Sequence, residues 1–154
     1  MVGTDKERVV KKLLLMVLFF VWNPLFASEN CPMDFKNTEL CADLTWIDGP
    51  YVDEKSHFKI MFWKKGDSEK VFVSPDYDLD IYTYMIMDNG HSHRGGIELE
   101  WLQVSAGVFE SKNARFYMHG MKGFWEVRVG LIQADSIVSQ SAYKVDLENT
   151  GMGH

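Results

Sequence analysis

The sequence predicts an all-β protein, an immunoglobulin-like sandwich of about seven or eight short antiparallel strands. Three observations carry that prediction. Apolar and polar residues alternate with period two in segment after segment, as half-buried strands require, since successive side chains point to opposite faces. Turn residues break these segments at short intervals, at Asp48-Gly49-Pro50, around Gly66, at Ser74-Pro75, at Asp88-Asn89-Gly90 and near Ser105 and Gly107. No amphipathic helix pattern of ordinary length follows the leader, and many short strands divided by turns are the signature of such a sandwich.

The chain opens with a segment expected to lie outside the fold. Lys6, Arg8, Lys11 and Lys12 make a basic start, residues 13–22 are an unbroken apolar run of ten, and Pro24 precedes Leu25, Phe26 and Ala27. That order is a secretory signal peptide cleaved after Ala27. A retained anchor is the other reading, but ten apolar residues fall short of the roughly 20 that a spanning helix needs. The mature chain is therefore expected to be periplasmic or secreted, without stable membrane insertion. Of 154 residues, 127 remain, enough for one domain with its own core. Residues 28–39 read as an N-terminal tail, 40–148 as the sandwich and 149–154 as a frayed end.

The whole chain carries a net charge of −6, and the leader holds four basic residues against Asp5 and Glu7, so the remainder is more acidic still. Nucleic acid is a poor partner for such a chain, because phosphate binding draws on clustered Lys and Arg. Both cysteines, Cys31 and Cys41, fall near the start of the domain. An oxidising compartment favours a disulfide that ties the tail to the first strand. A thiolate metal pair competes with it, against the absence of CxxC spacing and of any nearby His.

Taken in order, Leu40, Ala42, Leu44 and Trp46 alternate with Cys41, Asp43 and Thr45 in a first strand. Phe58, Ile60 and Phe62 face one way in the second, with Lys59, Met61 and Trp63 opposite. Residues 71–73 read as a short strand. Asp76, Asp78 and Asp80 alternate like calcium ligands, but Ile81 stands where an EF-hand needs Gly, so they read as a solvated edge. Leu79, Ile81, Thr83, Met85 and Met87 form one face of the next strand. Ile97, Leu99 and Trp101 alternate with Glu98 and Glu100, Val108 and Phe109 start another strand, residues 111–114 read as a turn, and 115–118 as more sheet. Trp125, Val127, Val129 and Leu131 form another apolar face, and Tyr143, Val145 and Leu147 mark a last strand.

The chemistry concentrates in two places. The stretch YMIMDNGHSHRGG at 84–96 puts Met85 and Met87 on one strand face and follows them with His91 and His93 on a Gly-flanked turn; FYMHGMKGFW at 116–125 carries Met118, His119 and Met121. Thioether sulfur is a soft ligand preferred by Cu(I), and imidazole serves both copper oxidation states. Met also fills irregular core gaps, and taken alone the Met85–Met87 pair reads more readily as core than as ligand. An exposed His-x-His has no core to fill, so it reads as a solvated loop or as a ligand pair.

A Met-rich strand end followed by Gly90-His91-x-His93, then Tyr117-Met118-x-Gly120 leading to Gly123-x-Trp125-Glu126-Val127, resembles the YtkA-like and FixH-like exported domains. The resemblance would span roughly 40–145. It implies an immunoglobulin-like sandwich and a link to periplasmic copper handling. Zinc would leave four methionines unexplained, and a blue-copper centre needs a Cys thiolate near two His. The expected function is thus a copper carrier or chaperone, Cu(I) favoured, exchanging the ion with a donor or acceptor protein. The alternative is a metal-free interaction module that binds a protein partner through an aromatic surface. An enzyme is not expected, since no nucleophile motif appears and the proximity of His57 to Asp53 is commonplace in an acidic chain.

Overall fold

The computed structural model describes residues 30–147; the expected signal peptide and frayed end lie outside them. Nine strands run in chain order: β1 Met33–Asp34, β2 Leu40–Asp48, β3 Ser56–Lys64, β4 Asp78–Met87, β5 Ser92–Arg94, β6 Trp101–Ser105, β7 Val108–Ala114, β8 Gly123–Gln133 and β9 Ser136–Val145. Among the described residues there is no helix.

Two antiparallel sheets form, β1-β2-β3-β7-β6 and β5-β4-β8-β9. Four strands of each, β2-β3-β7-β6 against β5-β4-β8-β9, stand in the order of an immunoglobulin-type sandwich, with β1 added beyond β2. The alternation in the sequence explains why the sheets pack. Leu40, Ala42 and Leu44 of β2, Phe58, Ile60 and Phe62 of β3, Ile81 and Met85 of β4, and Trp125, Val127, Val129 and Leu131 of β8 turn inward and are buried in one core. Edge-on aromatic contacts cross it: Trp46 meets Phe116 at 5.7 Å and Phe116 meets Trp125 at 5.8 Å between ring centroids, which joins the sheets near one end.

Several boundaries depart from the sequence expectation. Cys31 and Cys41 are bonded to each other, and the tail is more than a tether: Met33 and Asp34 pair with Ala42 and Cys41 as β1. Residues 71–73 form no strand, only a single bridge from Phe72 to Trp63. Ile97 and Leu99 belong to a crossover and not to a strand. The expected turn at 111–114 is the end of β7, because the Asn113 side chain satisfies the crossover, accepting from Glu100 N–H at 2.9 Å and donating to Glu98 C=O at 3.0 Å. Residues 115–118 leave the sheet as a connection held at Phe116 by one bridge to Val52. The last strand starts at Ser136 after Ala134 and Asp135, both at positive φ (49° and 59°), the pair required by a tight two-residue hairpin turn.

Candidate metal-binding pole

Three connections gather at one end of the sandwich: the β2–β3 loop, the β4–β5 hairpin turn and the β7–β8 connection. The hairpin turn is fixed by its sequence. Gly90 N–H donates to Met87 C=O at 3.0 Å, Gly90 takes φ 86°, and Met87 N–H donates to His91 C=O at 2.9 Å, so Asp88-Asn89-Gly90 is a three-residue loop closed by a left-handed glycine. Asn89 Oδ1 also accepts from His91 N–H at 3.0 Å. β5 then pairs His93 with Met85, and β8 pairs Trp125 with Met85 on the other side. Directly paired residues share a sheet face, so His93 belongs to the inner face at its open margin, with its ring edge-on to Trp125 at 6.3 Å.

The second segment reaches the same place. Met87 pairs with Gly123, and Asp88 N–H donates to Lys122 C=O at 3.0 Å, so the connection carrying Met118 and Met121 runs beside the hairpin. A turn with Met121 N–H donating to Met118 C=O at 3.2 Å brings those two methionines close in the backbone. Trp125 Nε1 donates to Tyr117 C=O at 3.1 Å and anchors the start of this connection.

The seven expected site residues divide by environment. Met85 is fully buried and packs in the core. Met87, Met118 and Met121 are half-buried against that core, with part of each exposed at the pole. His91 and His93 are exposed, and His93 Nδ1 lies 2.9 Å from Arg94 C=O. His119 is exposed, stacks on Tyr117 and sets Nε2 3.3 Å from Asp53 Oδ2. Among the described residues no three His, Cys, Asp or Glu side chains converge as a metal cage, so an ion held here would draw on thioethers.

Two residues outside the expected ligand set organise the pole. Asp53, at φ 61°, donates its N–H to Phe116 C=O at 3.0 Å, accepts Met118 N–H on Oδ1 at 3.3 Å and meets His119 with Oδ2. Nothing in Val-Asp-Glu distinguishes it from other acidic loop residues. Trp125 is the other, marked in the sequence as an inward aromatic and as part of the Gly-x-Trp-Glu-Val motif but not as a site residue. His57, close to Asp53 along the chain, pairs instead with Glu110 at 3.2 Å.

The aromatic surface of the alternative reading also has a location. Tyr82, Tyr84 and Phe124 lie on the outer face of the β5-β4-β8-β9 sheet. Arg94 sits 3.8 Å over Tyr82, Arg128 3.6 Å over Tyr84 and Lys144 4.8 Å over Phe124. Arg94 is paired with Asp80 and Arg128 with Glu126, so these rings and charges largely satisfy one another.

The fold and its pole define a two-sheet immunoglobulin-type sandwich with a Met- and His-bearing end. No family model, curated protein or solved structure matches the chain.

Proposed function

We propose that this protein is an exported copper carrier that holds Cu(I) on the thioethers of Met87, Met118 and Met121, with imidazole from His91 or His93. The observation that supports this reading most is the meeting of two segments far apart in sequence: Met87 opposite Gly123, and Asp88 hydrogen-bonded to Lys122. Thioethers and neutral imidazoles make an uncharged, soft donor set suited to a monovalent soft ion, whereas a hard divalent cation calls for carboxylates. Partial exposure of the three methionines leaves room for a donor or acceptor protein to exchange ligands with the ion. His119 serves in this reading as an anchor through Asp53, and Met85 as core packing beneath the site. The Cys31–Cys41 bond is in keeping with an oxidising compartment.

The test is a Cu(I) competition titration of the full chain against a chromophoric chelator, beside the variant Met87→Leu, Met118→Leu, Met121→Leu. Leucine keeps volume and apolarity and removes only sulfur. Copper affinity is expected to fall by more than about 100-fold, given that losing outer-shell support alone costs about 10- to 100-fold at metal sites. Equal copper retention by both proteins would refute the carrier.

A further inference from the structure

β4 is paired along its whole length by β8, from Asp78↔Ile132 to Met87↔Gly123, but β5 covers only Tyr84, Met85 and Ile86. The direction of its peptide groups follows from the hydrogen bonds at its end. Asp88 N–H reaches Lys122 on the β8 side, so even-numbered residues direct their peptide groups toward β8. Met87 N–H reaches His91, and Thr83 C=O accepts from Gly95 at 2.8 Å, so odd-numbered residues direct theirs toward β5. β5 ends at Arg94, and the chain swings away at Gly95-Gly96 into the crossover. The N–H and C=O groups of Leu79 and Ile81 therefore point into a lane with no strand in it, and among the described residues no backbone group pairs with them there.

That lane is a cleft of about 540 Å³, with Leu79 and Ile81 on one wall, Ile97, Leu99 and Trp101 on the other, and Arg94 at its end. Its charge is one-sided. Asp80 on β4 and Glu98 on the crossover line it, and Asp78 stands just beyond at the start of β4; the cation in the lining, Arg94, is already engaged by Asp80.

We propose that this open edge of β4 is a docking site for an extended segment of another protein, added as a strand in the lane that β5 leaves half-filled. Strand parity sets the chemistry of the segment. Residues beside Leu79 and Ile81 point inward, toward Ile97, Leu99 and Trp101, and are apolar. Residues beside Asp78 and Asp80 point outward and are Lys or Arg. Arg94 displays the same recognition from within the chain, its guanidinium paired with Asp80 over the Tyr82 ring. The occupant is thus a short run alternating apolar and basic residues, and its binding is independent of any metal at the pole.

The experiment follows backbone amides of the ¹⁵N-labelled full chain by NMR while adding a synthetic peptide that alternates Val and Arg, or one that alternates Val and Glu. The Val-Arg peptide is expected to shift the Leu79 and Ile81 amides and slow their hydrogen exchange, with weaker binding in high salt. The Val-Glu peptide is expected to do neither. Arg94→Ala frees Asp80 and should tighten the Val-Arg peptide about two- to fivefold, the scale of an exposed ion pair. Leu79→Pro removes an N–H in the open lane, which an edge position tolerates, together with a half-buried side chain of the cleft wall, and should weaken binding about tenfold. Because the Arg94→Ala effect is a gain, it decides the matter even if Leu79→Pro does not fold. Equal binding of both peptides, unmoved Leu79 and Ile81 amides, or weaker binding by Arg94→Ala would overturn the proposal. So would protection of the same amides in the concentrated protein alone, which would make a second copy the occupant.

Discussion

The two halves of β4 have the same alternating sequence and opposite surroundings. From Tyr84 to Met87 the strand is flanked by β8 throughout and by β5 or the hairpin turn, and it ends in loops that lean on one another through Asp88 and Lys122. From Asp78 to Ile81 it has β8 alone, beside a cleft. A strand held on both sides can present side chains at a fixed point, which is what a ligand set needs. A strand held on one side offers its backbone, which is what a docking peptide needs. One element thereby supports two proposals that fail or survive separately.

The sharpest way to break the first half is Gly123→Ala. Gly123 sits at φ 148°, and a Cβ there would run into the backbone of Ile86 and Met87, which cannot rotate away. A loss on the order of 3 kcal/mol in urea unfolding is expected from strain and overpacking combined. The copper affinity of whatever remains folded should fall with it, because Gly123 is where the second Met segment joins β4.

A somewhat smaller global effect that touches neither half is expected from Cys31→Ser with Cys41→Ser. Opening this short loop should cost about 2–3 kcal/mol in the chain-entropy picture. Stability measured by urea unfolding should drop by that amount, while copper affinity and peptide binding stay at their starting values. A change in either would mean that β1 supports the pole or the cleft, contrary to the separation drawn above.

The smallest effect falls at the junction of the two halves. A Cβ on Gly95 would collide with Thr83 Oγ1, the side chain beside the point where the crossover leaves the sheet. Gly95→Ala is expected to cost about 1–2 kcal/mol by overpacking. Adding Thr83→Ala removes the colliding atoms and should recover part of that loss, a coupling that a double-mutant cycle reads directly.

How far these features were legible in the sequence depends on which physical signal each one used. The fold class rested on period-two alternation, and the long strands β2, β3, β4 and β8 display it because one face of each meets the core. The turn at Ala134-Asp135 was not legible, since neither residue is Gly or Asn and the positive φ angles are imposed by the β8–β9 pairing. β7 was cut short because Ser111 and Asn113 read as turn residues, when in fact Asn113 is spent on the crossover backbone. At the pole, the sequence identified the Met and His residues but could not rank them. Parity places Met85 and Met87 on one face, yet only the depth of each along the strand separates a sealed core side chain from one at the rim. Asp53 was invisible because its role is made of backbone and loop contacts distant in sequence. The open edge of β4 was invisible too, because it depends on where β5 stops.

The most direct test of the central claim is a titration of Cu(I) into the full chain with ¹³C-labelled methionine methyl groups, followed by NMR under anaerobic conditions. The methyls of Met87, Met118 and Met121 are expected to shift together at one equivalent, while those of Met85, buried beneath them, and Met61, on the opposite sheet, move far less. Shifts confined to other methionines, or three rim methyls left unmoved at one equivalent, would contradict it.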